Sequence, residues 1–432
     1  WGDPEYVRRF AESTHLYNGD AYEVYEPLAT KMEAQAHDTK PFDLLTRTHQ
    51  YYHYEFERYW NFYQMFGLIG YNPHTPTDVW EKEFENRFGK QAAPIVESAL
   101  HEASWIMPRI IASCYPYSFF PTTSAWPEKQ RLGDLPLYAK AEGSDLQQFA
   151  SFDEEAQVLL GTLETAKTLP STTAFWLAQT STDINKKVKK AEKTIGTNEN
   201  KEFNSTMVDM EMLSNLALYH SRRIGAAVSY CLFLRTQDAG ALDDAIDYEQ
   251  RAAEAWQQIV DAAGDVYADQ ILIGNKNISG HWKDELIALN KGIAKLQDQR
   301  KNFKPNGAVK PAPHYKPASD GDNGKYFTIS HKRVTSAPIG KSITIVVKVR
   351  ATAGVKWVRL QYRSVDQYKD FQMLSMVKSG EKDTYRVTIP ADQINTKYDL
   401  MYLIEAMDKN GKGFIYPDVN KETPYVVVNL IR

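Results

Sequence analysis

Cysteine is nearly absent. Cys114 and Cys231 are the only two in 432 residues, too few for a disulfide framework and in no metal-binding spacing. Each sits in an apolar, helix-like stretch and reads as a buried thiol. Basic charge is not in excess: 51 basic against 55 acidic residues give a net charge of −4, which argues against a nucleic-acid binder. No apolar run approaches the roughly 18 residues of a membrane-spanning helix. There is no P-loop, Gly-rich dinucleotide turn, G-x-S-x-G elbow or HExxH helix, so no nucleotide, serine-hydrolase or zinc-protease signature is present and no cofactor is expected.

What the chain has in quantity is aromatic side chains, with 26 Tyr, 18 Phe and 9 Trp unevenly placed. Residues 51–63 read "YYHYEFERYWNFY". Tyr and Trp pair an apolar face with a polar edge, which suits both core filling and packing on ligand rings.

The periodicity predicts a multidomain chain: a mainly α-helical bundle followed by an all-β, immunoglobulin- or fibronectin-like sandwich. The opening "WGDPEYVRRF" reads as a loop leaving a strand and then a first helical turn, so a strand is expected before Trp1. Residues 1–37 read as the end of an α/β barrel with loops, and "AYEVYEPL" alternates like a short strand ended by Pro27. The helical domain is expected over 38–301. Its first helix is predicted from about Asp38 to Phe66, the second closes at Gly89, and a third over about 90–114 is kinked by Pro108. Ser151 to Glu154 form a capping box for a helix to about Lys167. Further helices are predicted over about 171–195, 202–236, 241–270 and 282–301. "KPNGAVKPAPHYKPASDGDNGK", with four Pro and three Gly, reads as a linker over 302–325. Beyond it Ile343, Ile345, Val347 and Val349 alternate with polar residues, and Asn410-Gly411 marks a hairpin. About seven strands fit residues 326–432, which are expected to fold alone.

Paired carboxyl groups about 5–10 Å apart carry the chemistry of glycosidic-bond cleavage. Glu23, Glu26 and Asp3 are the candidate catalytic residues, although strand alternation puts Glu23 and Glu26 on opposite faces. His49, His53 and Glu57 share one face of the predicted helix, but no further ligand is marked by spacing, so a packed His pair is expected and no metal. Glu55 and Arg58, three apart, are expected to pair. Tyr52, Phe56, Tyr59 and Tyr63 form a stripe expected in the core. Tyr54 and Trp60 lie off it and are candidate substrate-binding residues, together with His281 at the start of the last helix.

"WGDPEYVRRF", "YEVYEPLATKM", "YEFERYWNFYQMFGLIGYNPHTPTDVWEKEFENRFG" and "GHWKDELIALNKGIAKL" together resemble the C-terminal half of large secreted bacterial glycoside hydrolase-like proteins similar to α-glucuronidases. The resemblance spans about residues 1–300. It implies that most of a (β/α)₈ barrel and its main carboxylates precede Trp1, and that Asp3, Glu23 and Glu26 lie near barrel-end loops. It implies a carbohydrate partner, plant or algal polysaccharide of a kind that includes uronic-acid-containing polymers, and a secreted or periplasmic location. The alternative is a carbohydrate-binding or scaffolding module without hydrolysis.

Overall fold

The computed structural model describes residues 1–431 except 18, 25–30, 32–34, 116–128, 197–199, 275–277, 306–309 and 396. Two compact units emerge: Trp1–Ala11 with Tyr22–Thr162 and Leu169–Ser319, and Glu12–Ala21 with Leu163–Thr168 and Asp320–Arg432.

The first unit is helical. The predicted opening turn is a helix, α1 (Pro4–Ser13), and the residues after it are α2 (Glu55–Arg58), α3 (Trp60–Tyr71), α4 (Asp78–Ala103), α5 (Ile106–Cys114), α6 (Leu135–Tyr138) and α7 (Phe152–Leu159). The long helices follow: α8 (Pro170–Ile195), α9 (Lys201–Thr236), α10 (Ala239–Ala263) and α11 (Trp282–Asn302), with a small hairpin, β1 (Ile271–Gly274) and β2 (Ile278–Gly280), before the last. α9 packs against α8 and α10 and is buried on nearly every side, so its apolar residues fill a whole cylinder rather than a stripe.

Several boundaries differ from the sequence expectation. Residues 38–54 are not helical. Their backbone is satisfied elsewhere: Leu44 O accepts from Ala268 N at 3.0 Å, Thr46 N donates to Val266 O at 2.9 Å, and Leu45 bridges to Tyr267. This isolated bridge to the segment after α10 outcompetes helix because aromatic and β-branched residues over 38–54 give little helical propensity. That segment exists because α10 stops at Gly264, at φ +45°, instead of continuing to 270. Gly89, at φ +75°, breaks α4 as expected. The later break falls at Ser104–Trp105, and Pro108 sits in the first turn of α5, where its missing N–H costs nothing. The capping box at Ser151 forms, but its helix ends at Leu159 and Gly161 turns at φ +73°. Ala21–Val24 form no strand. Tyr22 is instead held by Phe10 and Phe66, and its hydroxyl donates to Phe66 O at 3.2 Å. The Pro-rich stretch is strapped to the helices: Ala312 and Tyr315 are buried, and Ala312 N donates to Asp238 Oδ2 at 2.8 Å.

The second unit is a β-sandwich with ten strands among the described residues rather than about seven. A four-stranded sheet carries β3 (Phe327–His331), β5 (Ile343–Ala351), β9 (Thr384–Ile389) and β8 (Val377–Lys378). The six-stranded sheet carries β4 (Ser336–Pro338), β12 (Val426–Ile431), β10 (Leu400–Asp408), β6 (Val355–Ser364) and β7 (Gln372–Ser375), with β11 (Gly413–Tyr416) on β10. Ile343, Ile345, Val347 and Val349 point inward as predicted, opposite Val358, Leu360 and Tyr362. Asn410-Gly411 closes the β10–β11 hairpin, with Asp408 Oδ1 accepting from Asn410 N and Lys412 N at 2.9 and 2.8 Å. β10 is buried on both faces. Its outer face is covered by the clasp Leu163–Thr168: Ala166 packs on Leu403 and Ile415, and Glu164 pairs with Lys356.

Candidate functional site

The opening loop is pinned first. Asn61, buried in α3, donates through Nδ2 to Trp1 O at 2.7 Å and Gly2 O at 2.8 Å. Gly2 adopts φ +91°, and a β-carbon there would lie 2.9 Å from Asn61 O and Phe62 Cα, so only glycine lets the loop approach α3 this closely. The indole of Trp1 then lies against Tyr59, ring centres 5.1 Å apart.

Beneath it is Arg58, the last residue of the single-turn helix α2. Its guanidinium is buried. Nη2 donates to both oxygens of Asp209 at 3.0 and 2.8 Å and to the Tyr267 hydroxyl at 2.9 Å, while that hydroxyl donates to Asp209 Oδ1. The rings of Trp1 and Tyr59 lie 5.5 Å from its central carbon, and those of Tyr52 and Tyr267 lie at 6.0 Å. Burial opposes a charge on Arg58, yet Asp209 and the surrounding phenol oxygens raise its pKa well above the ordinary value, so it stays cationic. Burial raises the Asp209 carboxyl, and Arg58 works against that rise.

This ion pair borders a cavity of about 210 Å³. Arg58, Asp209, Tyr267, Lys129 and Ser104 supply its polar groups. Trp1, Tyr59, Phe62 and Trp282 supply rings, and the rest is aliphatic: Leu44, Ala103, Met107, Met212, Leu213, Leu216 and Ile259. Concave, mostly apolar surface with a few convergent polar groups is the usual form of a small-molecule site. A second buried pair lies outside it. Arg223 reaches Glu249 Oε1 and Oε2 at 3.2 Å and the carbonyl of Gly133 at 2.6 Å, knotting that loop to α9 and α10.

The sequence-predicted residues are not brought together around that cavity. Asp3 is buried and caps α1, its Oδ1 accepting from Tyr6 N at 2.6 Å, and burial raises its carboxyl. Glu23 is exposed, and Glu26 lies outside the described residues. Tyr54 is 65% exposed, and Phe56, expected in the core, is 58% exposed; their rings stack at 5.6 Å and 5°. Of the predicted stripe, Tyr52 and Tyr59 are in the core and Tyr63 packs half-buried against it, so Phe56 is the member that departs from the expectation. Trp60 is half-buried, edge-on to Phe84 at 4.9 Å with Arg87 at 4.6 Å over its ring. His281 is buried and caps α11, accepting from Lys283 N at 3.2 Å, with its ring edge-on to the cavity-lining Trp282 at 5.3 Å. His49 and His53 lie in turns. Glu57 accepts from the backbone N–H groups of His53 and Tyr54 at 2.6 and 3.2 Å, which lower its carboxyl, and no cluster of metal-ligating side chains occurs among the described residues. Arg58 pairs with Asp209, not with Glu55 as expected from spacing. The available signal was Asp209 itself, an acid inside the apolar run "MVDMEML".

No family model matches the chain. No curated protein matches it either. Among solved structures it is similar to a GH138 enzyme targeting pectin rhamnogalacturonan II, with a TM-score of 0.53 and 12% identity over 70% of this chain. The similarity spans 45% of that enzyme's chain, less than half its length.

Proposed function

We propose that this chain is the C-terminal portion of a glycoside hydrolase-like protein that engages plant polysaccharide of the pectin type. The observation that supports this most directly is the fold likeness, TM-score 0.53 across 70% of the chain, to an enzyme that targets pectin rhamnogalacturonan II. Similarity to α-glucuronidases, a uronic-acid-containing substrate, an immunoglobulin-like sandwich and export to the periplasm or medium belong to the same proposal. Polymeric substrates are met outside the cytoplasm, which is the reason for the last. The exposed, stacked Tyr54–Phe56 pair offers an aromatic face on which a sugar ring can pack.

A non-catalytic binding role is the second reading, favoured by one observation: Asp3, a candidate acid, is committed to capping α1. Affinity electrophoresis in gels containing pectin, with parent and Tyr54→Ala/Phe56→Ala chains, tests both readings. Retardation of the parent that the double variant loses supports polysaccharide engagement, and equal mobility of parent and variant with and without pectin rejects it. Release of reducing sugar from the same polymer separates hydrolysis from binding alone.

A further inference from the structure

The cavity under Trp1 is a poor fit to a sugar and a good fit to something else. A pyranose carries hydroxyls on every side, and seven aliphatic side chains around this cavity offer no partners to the hydroxyls that would face them, so those would be buried unsatisfied. An aromatic ring has no such requirement. Engineered cavities of about 150 Å³ lined by Leu, Ile and Phe bind benzene. This one measures about 210 Å³ and has Leu213, Leu216 and Ile259 on its apolar side, leaving room for a ring with one substituent.

The polar side selects the substituent. Among the described residues, Asp209 Oδ2 accepts a single bond, from Arg58 Nη2, so a lone pair remains on it. Among the described residues Arg58 Nε is a buried donor with no hydrogen-bond partner. A hydroxyl both donates and accepts, and answers both groups. An ammonium is repelled by Arg58 and Lys129, whereas a carboxylate meets those two cations but cannot donate to the open lone pair of Asp209.

We propose that this cavity is a binding site for a neutral phenol-class ligand, its ring among the aliphatic side chains and its hydroxyl on the Arg58–Asp209 pair. The site is independent of the polysaccharide reading, which rests on the fold likeness and on Tyr54 and Phe56.

Isothermal titration calorimetry of the full chain with phenol, toluene, benzoate and cyclohexanol, supported by thermal shift, tests it. Phenol binds and raises the melting temperature. Toluene, lacking the hydroxyl, binds at least about tenfold more weakly, the loss of its hydrogen bonds to a charged pair, and benzoate, which cannot donate to Asp209, binds more weakly than phenol. Leu213→Trp, at a half-buried position lining the cavity, fills it and weakens phenol at least about tenfold. Leu213→Phe serves if the Trp variant does not fold. No heat and no shift with 10 mM phenol overturn the proposal, as do phenol and toluene binding equally, cyclohexanol outcompeting phenol, or full phenol affinity in the filled variant. Displacement of phenol by galacturonate also overturns it and returns the cavity to the polysaccharide reading. Pectin retardation in gels is unaffected by Leu213→Trp, so the two proposals fail separately.

Discussion

Arg58→Met removes the cation from a carboxylate that is itself buried. In the parent, Asp209 accepts two bonds from Nη2 and one from Tyr267. In the variant the Tyr267 hydroxyl is the hydrogen bond that remains, and Asp209 loses its directly bonded counter-ion, keeping the weaker field of Lys129. Removing one partner of a buried pair costs about 3–5 kcal/mol, because the stranded charge keeps its desolvation penalty. For a cooperative unit of two to three hundred residues this corresponds to roughly 2 °C per kcal/mol, a fall of about 8 °C in Tm. The sign of the pH dependence follows. Without Arg58, burial raises the Asp209 carboxyl above its unfolded value of about 3.9. A raised group contributes its stability below the unfolded pKa and loses it as pH climbs through the folded pKa. The Arg58→Met deficit is therefore smaller at pH 5 than at pH 8, whereas the parent, whose Arg58 compensates the charge, changes less. Arg58→Met/Asp209→Leu removes the stranded charge and recovers most of the loss, since well-packed apolar replacements of buried pairs are often neutral. Calorimetric melts of the parent, both single variants and the double at the two pH values measure this. A single variant melting within 2 °C of the parent at pH 8, or a double no better than Arg58→Met, refutes the reasoning.

Burial pushes the Glu155 carboxyl up to about 7, with Ser171 opposing. Its contribution is complete below about pH 4.5 and lost as pH rises through 7, by about 3 kcal/mol at most, so Tm falls between pH 5 and 8 and Glu155→Gln flattens that slope. Gly2→Ala meets Asn61 O and Phe62 Cα at 2.9 Å with φ at +91°, and destabilises by about 2 kcal/mol while changing the environment of Trp1; an unchanged melt and emission spectrum argue against the pinned loop. Phe56→Ala, at 58% exposure, leaves Tm within about 1 °C, whereas Trp60→Ala loses its contacts with Phe84 and Arg87 and costs about 2 kcal/mol; a reversed order of melts contradicts the burial pattern. A sandwich of residues 320–432 alone exposes Leu403 and Ile415, so it melts lower than the same chain carrying the Leu163–Thr168 clasp by fusion; equal melts show the clasp to be dispensable.

The long helices and the strands were legible because their causes are local. Apolar spacing, the Ser151 cap and the Gly89 stop act within one or two turns, and the alternation in β5 is a property of consecutive residues. The buried state of Cys114 and Cys231 followed from the same local pattern. Residues 38–54 were misread because Leu44–Thr46 pair with 265–268, about two hundred residues away, and no local period encodes that pairing. Phe56 is exposed although Tyr52 and Tyr59 of the same predicted stripe are buried, because the helix there is the single turn Glu55–Arg58 and no continuous face runs from Tyr52 to Tyr63. The tertiary structure alone decided the centre. Arg58, Asp209 and Tyr267 come from three separate segments, the first two 151 positions apart, and their meeting depends on where α2, α9 and the turn after α10 pack. A buried charge is tolerated only where such packing supplies its counter-charge, so an acid inside an apolar helix announces that a partner exists, while only the folded chain selects which one.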